Sequence, residues 1–346
     1  FGVPKLPNVY DEDASDYESE TESQVGEYFQ GDIEDLDPED ARALEMFMPT
    51  TQKKQLDLKE LILSKIDQFE NSTLVPTGDD GEIPSSLPPK VIHVYKQIGK
   101  IMQRFTHGKL SKPFQILPQL SNWEELLFLT EPEKWSDHAV YSAVKIFTGC
   151  AKDFQITQFN GFVLLPRIRE AIKKYKKLKF SLYRALKKCC TKAGPFYKGF
   201  ILPLCESGDC TFTEAKIIAS VLRKVRIPAI HSAVALVKIS QLEYSGANSL
   251  FIRVLVSKGY HLPYSVLDSL VNHFMSFMSE DRQLPVMWHQ SLLAFAGRYK
   301  NQITDTQREA LVKLTRYHRH HGISAVVRRE LAKDETLHGG PDAMET

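Results

Sequence analysis

The sequence predicts an all-α protein carrying a disordered acidic N-terminal tail. Three observations predict it. From Lys90 onward the apolar residues recur at the helical period, as in Val91, Val94, Tyr95, Ile98, Ile101 and Phe105. Prolines and glycines interrupt that pattern at short intervals: Pro118, Pro132, Pro166, Gly194, Pro195, Pro203, Pro228, Pro263 and Pro285. No region shows the period-two alternation of successive strands. Pro228 and Pro263 sit where helices would start, 35 residues apart, close to one helical-hairpin repeat. The expected architecture is a solenoid-like stack of helical hairpins, HEAT/TPR-like but irregular.

The elements follow in chain order. Residues 1–36 are acidic and poor in clustered apolar side chains, so they bury too little surface to offset chain entropy. Ser15 and Ser19 each have Glu three residues on, the spacing an acidophilic kinase reads, and phosphates there would deepen the negative charge. Residues 37–89 read as two tethered amphipathic helices and a linker. One helix starts near Pro38 and carries Ala43, Leu44, Phe47 and Met48; the other carries Leu58, Leu61, Ile62, Ile66 and Phe69. The turn-rich stretch TGDDGEIPSSLPP leads to the helical body at 90–333, and 334–346 is a C-terminal tail. Within the body, Thr211 and Glu214 form a capping-box pattern for a helix running to about Arg223.

Composition narrows the class. The chain has 346 residues, 42% hydrophobic and 25% charged, ordinary for a folded water-soluble protein. Its net charge of +1 conceals a division. Residues 1–50 hold 15 Asp/Glu against 2 Lys/Arg (net −13), whereas residues 90–346 hold 38 Lys/Arg against 21 Asp/Glu (net +17). An acidic tail on a basic body is the pattern of a nucleic-acid-associated protein with a self-masking extension. No apolar run approaches the length that spans a bilayer, and no basic-then-apolar leader is present, so no membrane association is expected. The five cysteines (Cys150, Cys189, Cys190, Cys205 and Cys210) suit free thiols in a reducing compartment.

The segment 167–198 carries most of the functional weight, with 12 Lys/Arg and one acid, Glu170. Read as helix, Ile168, Ile172, Tyr175, Leu178, Leu182, Leu186 and Cys189 form a core stripe. Arg169, Lys173, Lys174, Lys176, Lys177, Arg184, Lys187 and Lys188 then make a cationic face. Like charges at helical neighbours repel, and a phosphate-rich partner would relieve that repulsion while releasing counterions. Phe180 falls among these cations; it either stacks on an unpaired base or is covered by a neighbouring helix. Smaller basic groups follow at Arg223, Lys224 and Arg226, and at Arg316, Arg319, Arg328 and Arg329.

Other motifs read as structural. Cys205 and Cys210 lie at C-x4-C spacing without the further pair a closed zinc site needs, so Glu206, Ser207, Gly208 and Asp209 read as a tight turn with Thr211 capping the next helix. LEYSGANS, with Tyr244, reads as an interhelical turn in which Gly246 permits a left-handed backbone and Asn248 or Ser249 caps a helix from Leu250. Trp288 and His289 follow a helix start at Pro285, and such a Trp anchors a core or an interface. The cluster His318, Arg319, His320 and His321 reads as a solvated helix end. The chain lacks a G-x-x-x-x-G-K-[ST] phosphate loop, H-E-x-x-H, a dinucleotide turn and a G-x-S-x-G elbow, so no catalytic residue, metal or cofactor is expected.

Several long strings occur in one order: GKLSKPFQILPQLSNWEELLFLTEPEKW, LLPRIREAIKKYKKLKFSLYRALKK, PLCESGDCTFTEAKIIAS, HSAVALVKISQLEYSGANSLFIRVL, HLPYSVLDSLVNHF and LPVMWHQSLL. Over roughly 90–330 they resemble the bystin family, eukaryotic nuclear proteins of small ribosomal subunit biogenesis. The resemblance implies a non-enzymatic assembly factor of nucleus and nucleolus, shuttling to the cytoplasm with pre-40S particles and needed for 18S rRNA processing and export of the subunit. Implied partners are small-subunit pre-rRNA, small-subunit ribosomal proteins near the head or beak, and other pre-40S and small-subunit processome assembly factors. The resemblance weakens along HHGISAVVRRELAKDETLHGGPDAMET and in the short acidic tail, so contacts at the termini are not implied. The alternatives are a protein-only scaffold, as in a cell-adhesion complex, and an enzyme acting on RNA.

Overall fold

A computed structural model describes residues 88–332, and every regular element in that range is helical. The acidic tail with Ser15 and Ser19, the tethered helices before residue 88 and the C-terminal tail lie outside the described residues. The sequence reads as one array over 90–333. Packing divides the described residues into two compact units, one ending at His231 and the other beginning at Ser232.

In the first unit, α1 (Pro89–Gln103) starts on a proline, whose fixed φ suits a first helical turn. Tyr95, Ile98 and Met102 form its buried face, while Val94 and Ile101, equally periodic, are exposed. Gly99 lets α1 close on the end of α3 (Trp123–Leu129): a Cβ there would lie 2.6 Å from the Thr130 carbonyl oxygen. Between them α2 (Lys112–Ile116) inserts Phe114, which meets Trp135 edge-on at 5.5 Å. Ser136 caps α4 (Asp137–Cys150), its hydroxyl accepting from the Ala139 N–H at 3.1 Å.

The next two helical runs share a feature that periodicity does not reveal. α5 (Asp153–Phe159) passes through a π segment, Asn160–Leu164, into α6 (Leu165–Tyr175). After α7 (Phe180–Cys189), α8 (Ala193–Phe196) passes through a second π segment, Tyr197–Ile201, into α9 (Leu202–Glu206). In both runs a proline follows two residues after the π segment, at Pro166 and Pro203. A proline inside a helix lacks its N–H, and its ring strikes the carbonyl four residues back. Here those carbonyls, of Phe162 and Gly199, belong to the widened turns, which take the proline without breaking the helix. The two π segments pack against each other. The second π segment also closes on α5 at Gly199, where a Cβ would lie 2.2 Å from the Thr157 carbonyl oxygen.

α10 (Phe212–Lys224) carries the expected capping box: Thr211 Oγ1 accepts from the Glu214 N–H at 3.3 Å, and Glu214 Oε2 accepts from the Thr211 N–H at 2.8 Å. The unit's core helices pack as α4 on α7, then α7 and α6 on α10. Phe147 and Phe159 stack at 4.1 Å within it.

After α11 (Ala229–Gln241), the second unit contains α12 (Gly246–Ser257), α13 (Tyr264–Met275), α14 (Val286–Tyr299), α15 (Asp305–Tyr317) and α16 (Ser324–Leu331). Here α12 packs on α14 and α14 on α16, while α13 packs on α15. α15 also packs on α16, so contacts here join both alternate and consecutive helices. Pro263 and Pro285 occupy the positions just before the first residues of α13 and α14.

One capping assignment changes. Ser245, not Asn248 or Ser249, caps α12, its hydroxyl accepting from the Asn248 N–H at 3.1 Å. Gly246 is therefore the first helical residue, and Asn248 is buried with its amide donating to the Glu243 carbonyl at 3.2 Å. The sequence offers three small polar residues there, Ser245, Asn248 and Ser249, and burial of the later two selects the first.

Candidate nucleic-acid interface

The basic segment is not one helix. α6 ends at Tyr175 because Lys176 adopts a left-handed conformation, with φ 55° and ψ 10°. α7 begins at Phe180. The turn between them gathers Lys173, Lys174, Lys176 and Lys177, all exposed. A left-handed residue at a helix end is ordinarily glycine or asparagine; a lysine there carries a steric cost of about 1–2 kcal/mol.

The turn reassigns the aromatics. Tyr175, read as a core residue, is 48% exposed, with the ammonium groups of Lys174 and Lys179 at 5.2 and 5.0 Å from its ring centroid. Phe180 is half-buried instead, with the Arg184 guanidinium 5.7 Å from its ring. The helical period places Tyr175 correctly only if the helix continues, and it does not.

The turn's orientation is fixed at its base. Asp137 takes Lys179 at 2.7 Å and Arg167 at 3.0 Å. Burial pushes the Asp137 carboxyl up, but these two cations outweigh it and hold the group below the usual carboxylate range. Arg167 also reaches Glu170 at 3.2 Å, which leaves the lysines of the turn beyond the one acid of the segment.

Arg169 leaves the cationic face altogether. Its side chain is 14% exposed, with Nη2 2.8 Å from Asp209 Oδ1 and Nε 3.4 Å from Glu214 Oε1. Burial opposes its charge, and the carboxylates of Glu214 and Asp209 more than restore it, raising its affinity for the proton. This contact explains the CESGDC string as architecture. Gly208, at φ 67°, turns the chain so that Asp209 faces Arg169, and Ser207 donates to the Leu204 carbonyl at 2.9 Å. Glu206 remains exposed.

The remaining basic residues separate. Lys187 and Lys188 lie in the last turn of α7, about 12 Å along its axis from Phe180 at 1.5 Å per residue. There they also complement the helix dipole. Arg184 is half-buried against α4, donating to the Tyr141 hydroxyl at 2.9 Å with its guanidinium 4.5 Å from the Tyr141 ring centroid.

The remaining motif residues occupy the second unit. Tyr244 meets Phe277 edge-on at 5.0 Å. Trp288 is fully buried among Phe274, Phe277 and His318, so it anchors this unit's core. His289 is 5% exposed; burial first, then His320 and His318, lowers its pKa to about 3. His318 is itself buried against the Phe277 carbonyl at 2.7 Å, so part of the presumed solvated cluster belongs to the core.

Cys189, Cys190, Cys205 and Cys210 are buried free thiols, and burial pushes Cys205 up to about 12, with Glu206 adding to it. Among the described residues no group of three or more His, Cys, Asp or Glu side chains is placed to hold a metal ion. Among them, too, no helix is long and apolar enough to cross a membrane.

The family model described as Bystin matches residues 52–339. Bystin of Monosiga brevicollis is 43% identical over 302 residues, covering 87% of this chain and 72% of its own. Bystin of Homo sapiens is 44% identical over 297 residues, covering 86% and 68%. Bystin of Dictyostelium discoideum is 49% identical over 276 residues, covering 79% and 56%. With the family's sequence pattern running through both helical units and the turn that joins α6 to α7, the chain belongs to the bystin family.

Proposed function

We propose that this chain is a non-catalytic assembly factor that binds the precursor of the small ribosomal subunit in the nucleus and nucleolus, contacting pre-rRNA phosphates and assembly partners during 18S rRNA processing and particle maturation. The observation that supports it most directly is the turn at 173–179. Four exposed lysines surround an exposed Tyr175, and the chain accepts a left-handed Lys176 to present them. Like charges so close repel one another, and phosphates relieve the repulsion while the ring offers a face for an unpaired base. Recognition in this mode follows backbone charge and shape more than base edges. The acidic tail would compete for the same cations and weaken premature binding.

The test is the salt dependence of binding between the full chain and single-stranded precursor RNA. Lys173→Gln, Lys174→Gln, Lys176→Gln and Lys177→Gln together remove up to four phosphate contacts, about 0.7 each in the log–log slope, or about 2.8 in all. Between two salt concentrations differing fourfold, wild type then loses roughly 50-fold more affinity than the variant. An unchanged slope and affinity in the variant would sink the lysine-turn contact, and weak binding without a salt slope in wild type would sink the RNA reading. A protein-only scaffold would then lead, and one observation favours it: Ile230 and Val234, one turn apart on α11, are 70% and 57% exposed.

A further inference from the structure

Beside the lysine turn, in the first unit, lies an open cavity of about 230 Å³. It is lined by one face of α4 (His138, Tyr141, Ser142 and Lys145), by Arg184 of α7 and by the loop from Phe105 to Gly108 that follows α1. The face is a consequence of helical spacing, since residues three and four apart stack on one side. The loop turns at Gly108, with φ 102°, where a Cβ would meet nothing within 4 Å. The glycine therefore serves the backbone turn rather than a close contact.

The chemistry of the lining is one-sided. Among the described residues that line the cavity, Lys145, Arg184, His107 and His138 are basic and none carries a carboxylate. The Tyr141 ring, with Arg184 at 4.5 Å and Lys145 at 5.7 Å from its centroid, and the Tyr141 hydroxyl, which accepts from Arg184, together hold the guanidinium in place. A pre-positioned planar guanidinium is the side chain best suited to a phosphate. Small hydroxyls complete the wall at Ser142 and Thr106. The volume lies below the roughly 300–1,000 Å³ that encloses a drug-sized ligand, so the cavity suits one small anionic group.

We propose that this cavity binds a single phosphate of an RNA strand whose neighbouring phosphates lie on the lysine turn. The turn and the cavity are contiguous. Lys179 ends the turn on Asp137, the residue before His138, and Ser181 of α7 meets His138 Nδ1 at 3.2 Å. The lysines supply diffuse attraction; the cavity supplies one fixed contact that sets the strand's register. The proposal rests on the RNA reading above, and its test separates the two.

Inorganic phosphate is titrated into the full chain while the imidazole signals of His107 and His138 are followed by NMR. The expected result is a saturable shift at millimolar phosphate, abolished by Arg184→Lys with Lys145→Gln and retained in the four-lysine variant. His107→Gln, on an exposed loop, provides a second variant whose folding is not at issue and which should weaken the shift. A shift that does not saturate, or that survives the Arg184/Lys145 change, would mean an adventitious surface ion and overturn the site. Single-stranded RNA should then displace phosphate from wild type, and the Arg184/Lys145 variant should lose about 0.7 from the salt slope. If phosphate binds but a phosphoserine peptide displaces it and RNA does not, the occupant is a modified protein and the RNA assignment fails. If RNA displaces phosphate while the four-lysine variant binds RNA with unchanged salt dependence, the cavity stands and the lysine-turn reading falls.

Discussion

Replacing Arg169 by methionine separates its two readings, as a phosphate contact and as a structural ion. The side chain holds Glu214 and Asp209, whose own side chains are only 2% and 9% exposed. Methionine keeps most of the packing volume but strands two carboxylates with no cation. Removing one partner from a buried pair costs about 3–5 kcal/mol. The remaining exposure at Arg169 and Asp209 and the Thr211 N–H bond to Glu214 place this site at the low end, about 3 kcal/mol. With an m-value of about 2–3 kcal/mol/M, the urea midpoint of the first unit should fall by roughly 1–1.5 M. The assay is urea unfolding followed by circular dichroism, beside the RNA salt titration. The expected outcome is a large midpoint shift with no change of slope. An unchanged midpoint together with a slope lower by about 0.7 would refute the structural assignment and return Arg169 to the proposed RNA face. Substituting Asp209→Asn in the Arg169→Met background should recover part of the loss, since one stranded charge is removed.

Three further outcomes follow from the geometry. Lys176→Gly should stabilise the first unit by about 1 kcal/mol by relieving the left-handed strain while weakening RNA binding; thermal melts beside the salt titration check this, and destabilisation would mean the turn's conformation is not costly. Gly199→Ala drives a Cβ into the Thr157 carbonyl and should cost about 3 kcal/mol or more; a melt within a degree of wild type would mean α5 and the second π segment part easily. His289 has a folded pKa of about 3, below its unfolded value near 6.5, so its contribution is complete above about pH 6.5 and is lost as pH falls toward 3. From pH 7 to pH 5 the second unit should lose about 2 kcal/mol from this group alone, and a His289→Gln variant should lose correspondingly less. An identical pH dependence in the variant would show that His289 is not the titrating group.

Much of the fold was legible before any coordinates. The apolar period gave the helices, Thr211 with Glu214 gave a cap, and Pro263 and Pro285 gave two helix starts, because each of these signals acts within a few residues of itself. The family, too, was legible from the order of long strings. The basic surface was legible in composition but not in shape. Seven of the segment's cations were counted onto a single helical face with Arg169, and the break at Lys176 redistributed them into a turn, a half-buried arginine and a distant pair.

What the sequence alone determined is local: helix positions, several caps, and a strongly basic stretch beside an acidic tail. What only the tertiary structure decided is which charges meet and which remain outside. Arg169 faces inward because a glycine turn some 40 residues later brings Asp209 and Glu214 against it, and no periodic pattern encodes that pairing. The π segments likewise arise where two prolines and Gly199 must be reconciled with a neighbouring helix. The cavity exists because α1's trailing loop, α4 and α7 converge, from three places in the chain. Local signals act through backbone conformation, whereas pairing and enclosure depend on contacts between residues far apart in sequence, and those are set when the helices pack.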